Sequence, residues 1–321
     1  MTVTISELWE QRPVRWLLLA LLSIAFFYYV DLRGSALGEL LRPAIGEPAD
    51  SGLHGRFACA LVATVLLLLN FIAIRLLPRN YQVLVVWLEL LVLFLAFFYS
   101  FDLSFEFIGR KIGFLISQGA VTTIYISLIS IAIASVIALV AALSKMSQNP
   151  FLYGISTFYI SFFRGLPLLM QIYLIYIGLP ALGFVIDPVP AGITALSVCY
   201  GAYMAEIFRA GIQGVSKGQA EAAYALGLKP WQTMRKIVLP QAMRLIVPPT
   251  GNQFIAMLKD SSLVSVVGVW ELTFLARTQG RSEFKHLEML ITASLIYWIL
   301  SIFFELLQAR LEAYYGRGDR R

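Results

Sequence analysis

The sequence predicts an all-α polytopic membrane protein of about eight transmembrane helices. Three observations carry that prediction. Mean hydropathy is +0.77. Only 14% of the 321 residues are charged, against about a quarter in a soluble domain. Apolar runs recur along the chain with charges at their edges, and a span needs roughly 17–25 such residues. A chain of this length holds several spans and little soluble mass besides.

The runs can be taken in order. Arg15 and Asp31 bracket the first, WLLLALLSIAFFYYV; Arg56 and Arg75 bracket the second; Arg79 and Asp102 bracket the third, broken only by Glu89. The first run resembles the core of a signal peptide, but no small-residue cleavage site follows FFYYV, so a retained helix is expected. Lys111 and Lys145 bracket a fourth run long enough for a tilted helix. The fifth covers Gly165 to Ile186, the sixth Pro188 to Ala205, the seventh Arg244 to Leu258 and the eighth Met289 to Phe304. Runs one, seven and eight are short, so their flanking charges snorkel or the helix continues past them. Glu89 is costly in lipid and should face protein or snorkel.

Lys and Arg set the orientation. Eight spans place both termini on one side, with Arg12, Arg15, Arg75, Arg79, Lys145 and the tail cations Arg310, Arg317, Arg320 and Arg321. On that side the segment 206–244 holds six Lys/Arg against two Glu. The opposite side holds 31–56, with four acids against three Arg, and 259–288, with four of each sign. The balance places both termini in the cytoplasm. The net charge of +6 is no nucleic-acid footprint, because the cations flank apolar runs instead of forming one stripe. Cys59 and Cys199 lie inside apolar runs and read as small buried hydrophobes. His54 and His286 have no ligand-like spacing, so no metal site is expected. GIQGVSK (211–217) fails the phosphate-loop pattern, and no catalytic residue is assigned.

The cytoplasmic stretch 221–242, EAAYALGLKPWQTMRKIVLPQA, holds the most specific signal. EAAYAL favours a helix, Gly227 suits a left-handed cap, Pro230 suits the first turn of a second helix, and Pro240 should end or kink that helix. The residues alone describe two short helices about a Gly hinge, or simply a polar connection between spans. Their spacing adds more. Glu221-Ala222-Ala223, three residues, Gly227, nine residues, then Ile237-x-Leu239-Pro240 resembles the EAA loop of ABC-importer permease subunits. In that family the loop forms a coupling helix seated in a cleft of the ATPase subunit. The resemblance implies that Glu221, Ala222 and Ala223 pack there and that Gly227 permits the sharp turn, with Ile237, Leu239 and Pro240 completing the motif. Lys229, Arg235 and Lys236 read as ordinary positive-inside charges.

Three further stretches resemble permeases for polar amino acids: FFRGLPLLMQIYLIYIGLP (162–180), AYMAEIFRAGIQGVSKGQAEAA (202–223) and PPTGNQFIAMLKDSSLVSVVGVWEL (248–272). The resemblance implies a five-span type I ABC importer permease core at 111–315, with its coupling loop at 212–242. An extension with three more spans at 1–110 precedes it, and a cytoplasmic tail, 316–321, follows. It further implies a bacterial inner-membrane location, a second permease chain (the same or related), an external binding protein that delivers substrate, and separate ATPase subunits that carry ATP and Mg. This chain would hold no cofactor.

Ionisable residues within spans are rare and often functional. Asp260 suits an ammonium and Lys259 a carboxylate; alternatively the two pair with each other or cap a break before SSLVS, where Ser261 and Ser262 suit a helix cap. Glu206 and Arg209, three apart, form a local ion pair or line an inner exit. Arg164 snorkels at an interface or meets substrate. Gln171 and Asn252 reach substrate or bond between helices. Two rival functions stay open on the residues alone: an ion-gradient-driven transporter, and a permease-derived scaffold or sensor that moves nothing. No clear repeat between halves supports the first, and the intact EAA spacing opposes the second.

Overall fold

The computed structural model describes residues 12–46, 51–99, 101 and 103–315. The tail at 316–321, with Arg317, Arg320 and Arg321, lies outside them. The described residues are helical and contain no strand. The chain divides into two compact units, Met1–Asp102 and Leu103–Arg321.

The first unit contains α1 (Arg12–Val30), α2 (Ala36–Ile45), α3 (Gly52–Arg75) and α4 (Arg79–Tyr99). α1 and α3 pack along each other. The connection after α1 is pinned by charge. Asp31 takes the left-handed conformation, φ 56°, and accepts two 2.8 Å bonds from Arg33, with Arg56 at 3.7 Å. The Arg33 guanidinium holds the Asp31 carboxyl down at about 2. Within α4, Glu89 accepts a bond from Asn70 of α3, so the lone acid of the third run finds a protein donor.

The second unit begins with α5 (Phe105–Lys145), a 41-residue helix interrupted by a π turn at Leu115–Ala120. Then come α6 (Pro150–Gly165), α7 (Leu168–Ala181), α8 (Pro188–Gln213), α9 (Lys217–Ala225), α10 (Pro230–Thr233), α11 (Leu239–Asp260), a 3₁₀ segment (Ser261–Val267), α12 (Leu272–Ser282) and α13 (His286–Tyr315). The α6–α7 break follows from Leu166-Pro167. The residue before proline is pushed to extended geometry, Leu166 sits at φ −96°, ψ 139°, and the axes diverge by 107°. The core lies around α8, against α5 and α11. Small residues permit the approach: Ala134, Ala138, Ala141 and Ala142 of α5 and Ala195, Ala202 and Ala205 of α8 are buried. Ile126, Leu196, Met204 and Met257 fill the space between.

Among the described residues, five helices are long and apolar enough to cross a membrane: Gly52–Arg75, Arg79–Phe97, Phe105–Lys145, Pro188–Gln213 and His286–Ala313. The bent pair α6 and α7 brings the number to six if it counts as one span. The eight expected runs therefore yield five to six such helices. Trp16–Val30 is apolar but shorter than a span. α11 is 22 residues long, but Arg244, Asn252, Gln253, Lys259, Asp260 and three prolines make it too polar to register.

Pro240 does not end the helix it lies in. α10 passes through a π turn, Met234–Val238, directly before the proline, and the chain goes on as α11, so the helix departs from regular α geometry where Pro240 removes a donor.

Candidate functional site

Two regions of the second unit gather the residues singled out by sequence. The first is the helical hairpin α9–α10. The end of α9 is a Schellman cap: Leu228 donates from its backbone to Ala223 at 3.1 Å and Gly227 to Tyr224 at 2.9 Å. Gly227 sits at φ +78°, a conformation glycine enters without steric cost. Pro230 opens α10, and the Gln232 side chain accepts from the Lys229 amide at 3.0 Å. Gln241 donates to Gln219 at 3.1 Å, fastening α9 to the start of α11.

The hairpin divides the motif residues. Ala223 is buried and Val238 beside Ile237 and Leu239 is buried, while Glu221, Ala222 and Pro240 are exposed. Ala223 therefore packs within the chain, and Glu221 and Ala222 stay open to a partner, joined there by residues the motif does not include. Leu226 is 83% exposed and Trp231 69% exposed, with Tyr224 beside them. Sequence reasoning did not single out these three, since each is an ordinary apolar residue in a short helix.

The second region is a cavity of about 430 Å³ lined by Arg164, Gly165, Tyr200, Tyr203, Gln253 and Asp260, among others. The Tyr200 hydroxyl donates to Asp260 Oδ2 at 2.8 Å. The Arg164 guanidinium lies over the Tyr203 ring, 5.4 Å from its centroid, and pairs with no carboxylate among the described residues. A carboxylate and a guanidinium thus face one polar space. Tyr200 is near the middle of the 26-residue α8, about 18–20 Å from either end at 1.5 Å per residue. The hairpin begins after one end of α8. The 3₁₀ segment packs at the other, where Val264 presses against Gly192 so closely that an added Cβ would sit 3.0 Å from it. The cavity therefore lies about halfway between the hairpin and the opposite end.

Of the remaining candidates, Lys259 is exposed and forms no ion pair with Asp260, so the expected alternative of a Lys259–Asp260 pair is not realised. Ser261 is buried and its hydroxyl donates to Leu258 O. Gln171 donates to Phe163 O and Leu166 O, both at 2.9 Å, bracing the α6–α7 break. Asn252 accepts from Gln308 of α13. Glu206 joins Arg209 at 2.8 Å and also Lys145 of α5, a cross-helix network larger than the local pair expected. None of Ser261, Asn252, Glu206 and Arg209 lines the cavity. Tyr200, Tyr203 and Gln253 do, and the sequence did not mark them. Among the described residues no group of three or more His, Cys, Asp or Glu converges as a metal site.

A third polar centre lies where α12 begins, against α13. Glu271 is fully buried and caps α12, accepting from Thr273 N at 2.8 Å and Phe274 N at 2.7 Å. The Tyr297 hydroxyl of α13 donates to it at 2.6 Å.

Comparison with known proteins places this geometry. Residues 130–315 match the family described as binding-protein-dependent transport system inner membrane component. A probable amino-acid ABC transporter permease protein of Bacillus subtilis (strain 168), YckA, is 38% identical over 213 residues, 66% of this chain and 91% of that protein. The arginine transport system permease protein ArtQ of the same organism is 40% identical over 201 residues, 62% of this chain and 91% of that one. In structure, an amino acid ABC transporter crystallised with histidines matches with a TM-score of 0.62 and 36% identity, covering 66% of this chain and 99% of the other. The buried small-residue core, the capped hairpin and the match over more than half of the chain agree: the chain belongs to the inner-membrane components of binding-protein-dependent transport systems.

Proposed function

We propose that this chain is the permease subunit of an ATP-driven ABC importer that carries a polar amino acid delivered by an external binding protein. One observation carries the reading. A single helix, α11, starts at Leu239-Pro240 of the hairpin and ends at Asp260 in the cavity. A push on the hairpin is thereby delivered to the cavity's carboxylate along one continuous helix, whose backbone bonding Pro248 and Pro249 loosen midway. Hydrolysis occurs on separate ATPase subunits, which bind ATP and Mg. They dock on Tyr224, Leu226 and Trp231, with Glu221 and Ala222 at the same surface and Gly227 setting the turn. Ala223, Ile237, Leu239 and Pro240 hold the hairpin to α11.

In the cavity, Asp260 receives the substrate ammonium and Arg164 its carboxylate, and the tyrosines and Gln253 meet the polar side chain. The relatives named above for amino acids and for arginine support this cargo class. Gln171 sets the position of Arg164 by bracing the break, and Glu206, held by Arg209, ties α8 to Lys145 of α5. Ser261 and Asn252 act through packing. Lys259 and Asp260, both exposed in one chain at mid-span depth, are too costly to face lipid. A second permease chain covers this face and shares the path. Counting α1, α11 and the bent pair gives eight spans, three of them before the core, with both termini in the cytoplasm.

Reconstitution in liposomes with the binding protein tests the proposal. Uptake of a labelled polar amino acid should require ATP on the ATPase side and survive collapse of ion gradients. Gradient-driven uptake, or none with an intact complex, defeats it.

A further inference from the structure

At the end of the second unit far from the hairpin lies a larger cavity, about 750 Å³. Its lining includes Arg277, Thr278, Arg281 and His286, with Phe274 and Leu290. α12 builds it. Phe274, Arg277, Thr278 and Arg281 recur at helical spacing on one face, while Leu272, Leu275 and Ala276 on the other are buried against α13.

No carboxylate lines this cavity. The acids nearby are engaged elsewhere. Glu271 caps α12, Glu283 pairs with Arg110 at 3.4 Å and Lys111 at 3.7 Å, and Glu288 pairs with Lys285 at 3.3 Å. Among the described residues Arg277 and Arg281 thus have no acidic partner. The balanced charge count of 259–288 conceals two uncompensated guanidinium groups.

Their surroundings are amphipathic. The cavity has room for about 25 waters at roughly 30 Å³ each, far more than a bare anion fills. The rest of the lining is mostly apolar: Val266, Gly268, Phe274, Leu290 of α13 and the ring of Tyr173 of α7, with Ser265. Trp270, 68% exposed, stacks on Phe274 with ring centroids 6.3 Å apart. Phe284 is 90% exposed. Aromatic side chains of this kind settle at membrane–water interfaces, and paired guanidinium groups match phosphate oxygens.

We infer that this cavity is a binding site for an anionic phospholipid in the leaflet away from the hairpin. Its phosphodiester lies between Arg277 and Arg281, and an acyl chain runs along Phe274 and Leu290. A soluble partner's carboxylate would meet the cations but leave the apolar wall bare.

The test uses the full chain in mild detergent with its co-purifying subunits. Short-chain phosphatidylglycerol, phosphatidylethanolamine and inorganic phosphate are added separately and the melting midpoint is read. Phosphatidylglycerol should raise it by about 3 °C, the other two should not, and the R277Q/R281Q double variant should lose the rise. An equal rise with phosphatidylethanolamine, or with inorganic phosphate, overturns the site. So does a rise retained in the double variant, above all if that variant loses stimulation by the binding protein. Should the variant not fold, native mass spectrometry of the unaltered chain decides. Phosphatidylglycerol must stay bound at collision energies that strip phosphatidylethanolamine; equal loss of both overturns the inference.

Discussion

At the scale of single residues, Asp260 is the group whose chemistry is most exposed to test. Its carboxylate takes one bond from Tyr200 and keeps other lone pairs for a ligand. Asp260→Asn removes the charge and keeps the shape. Hydrogen bonds to a charged group contribute about 1.5–3 kcal/mol, so uptake should fall at least about tenfold while the subunits still co-purify. Unchanged uptake and unchanged substrate preference would exclude Asp260 as a substrate contact. Glu271 gives a second prediction, in stability. It caps α12 and accepts from the Tyr297 hydroxyl. Glu271→Ala removes the cap, a loss of about 1 kcal/mol, and leaves that hydroxyl without its carboxylate acceptor, so the melting midpoint in detergent should fall; an unchanged midpoint would clear Glu271 of this role. Asp260 was legible as a candidate because a charge that interrupts an apolar run stands out, and Arg164 because it marks where a run begins. Tyr200, Tyr203 and Gln253 were not. Tyrosine and glutamine have ordinary reasons to occupy a span, and only the contact across 60 residues gives Tyr200 its role.

At the scale of elements, the hairpin was readable where a residue type dictates a backbone angle. Gly227 does so through its left-handed φ and Pro230 through its fixed φ at a helix start. Pro240 marks a disturbance but not an end: a π turn just before it carries the chain into α11, and nothing local in MRKIV announces that turn. The expected runs outnumber the five to six helices that are long and apolar enough to span for a physical reason: α11 carries Arg244, Lys259, Asp260 and three prolines, and these lower its hydropathy. The Gly227 cap leads to a prediction at this scale. An added Cβ meets no atom within 4 Å, so the cost of substitution lies in the backbone alone. Gly227→Val cannot adopt φ +78° without strain of about 1–2 kcal/mol and should misplace Leu226 and Trp231. Uptake should collapse with the chain still inserted. Gly227→Asn, which tolerates that conformation, should retain most of it. Equal behaviour of the two variants would show that the turn geometry is not what coupling needs.

At the scale of the whole molecule, the chain joins two units that differ in how much their relatives explain. The relatives and solved structures cover about two thirds of this chain but 91–99% of their own lengths, and the family match begins at residue 130. The hairpin, the polar cavity, α11 between them and the arginine-lined cavity all lie in Leu103–Arg321. The first unit has its own fastenings: the Asp31–Arg33–Arg56 cluster, the Asn70–Glu89 bond and the packing of α1 on α3. A unit with its own internal contacts is separable in principle, and the proposed coupling path from Leu239 to Asp260 does not enter it. A chain beginning at residue 103 should therefore insert, bind the ATPase and sustain ATP-driven uptake within about twofold of the full chain. The measurement is uptake per inserted chain in proteoliposomes, with ATPase co-purification as the control for assembly. Normal assembly with lost uptake would move the first unit into the transport path. Lost assembly would make it a partner-binding element instead. Retained uptake leaves it a role outside the transport cycle, and the search for that role would turn to the lipid and protein contacts of α1 to α4.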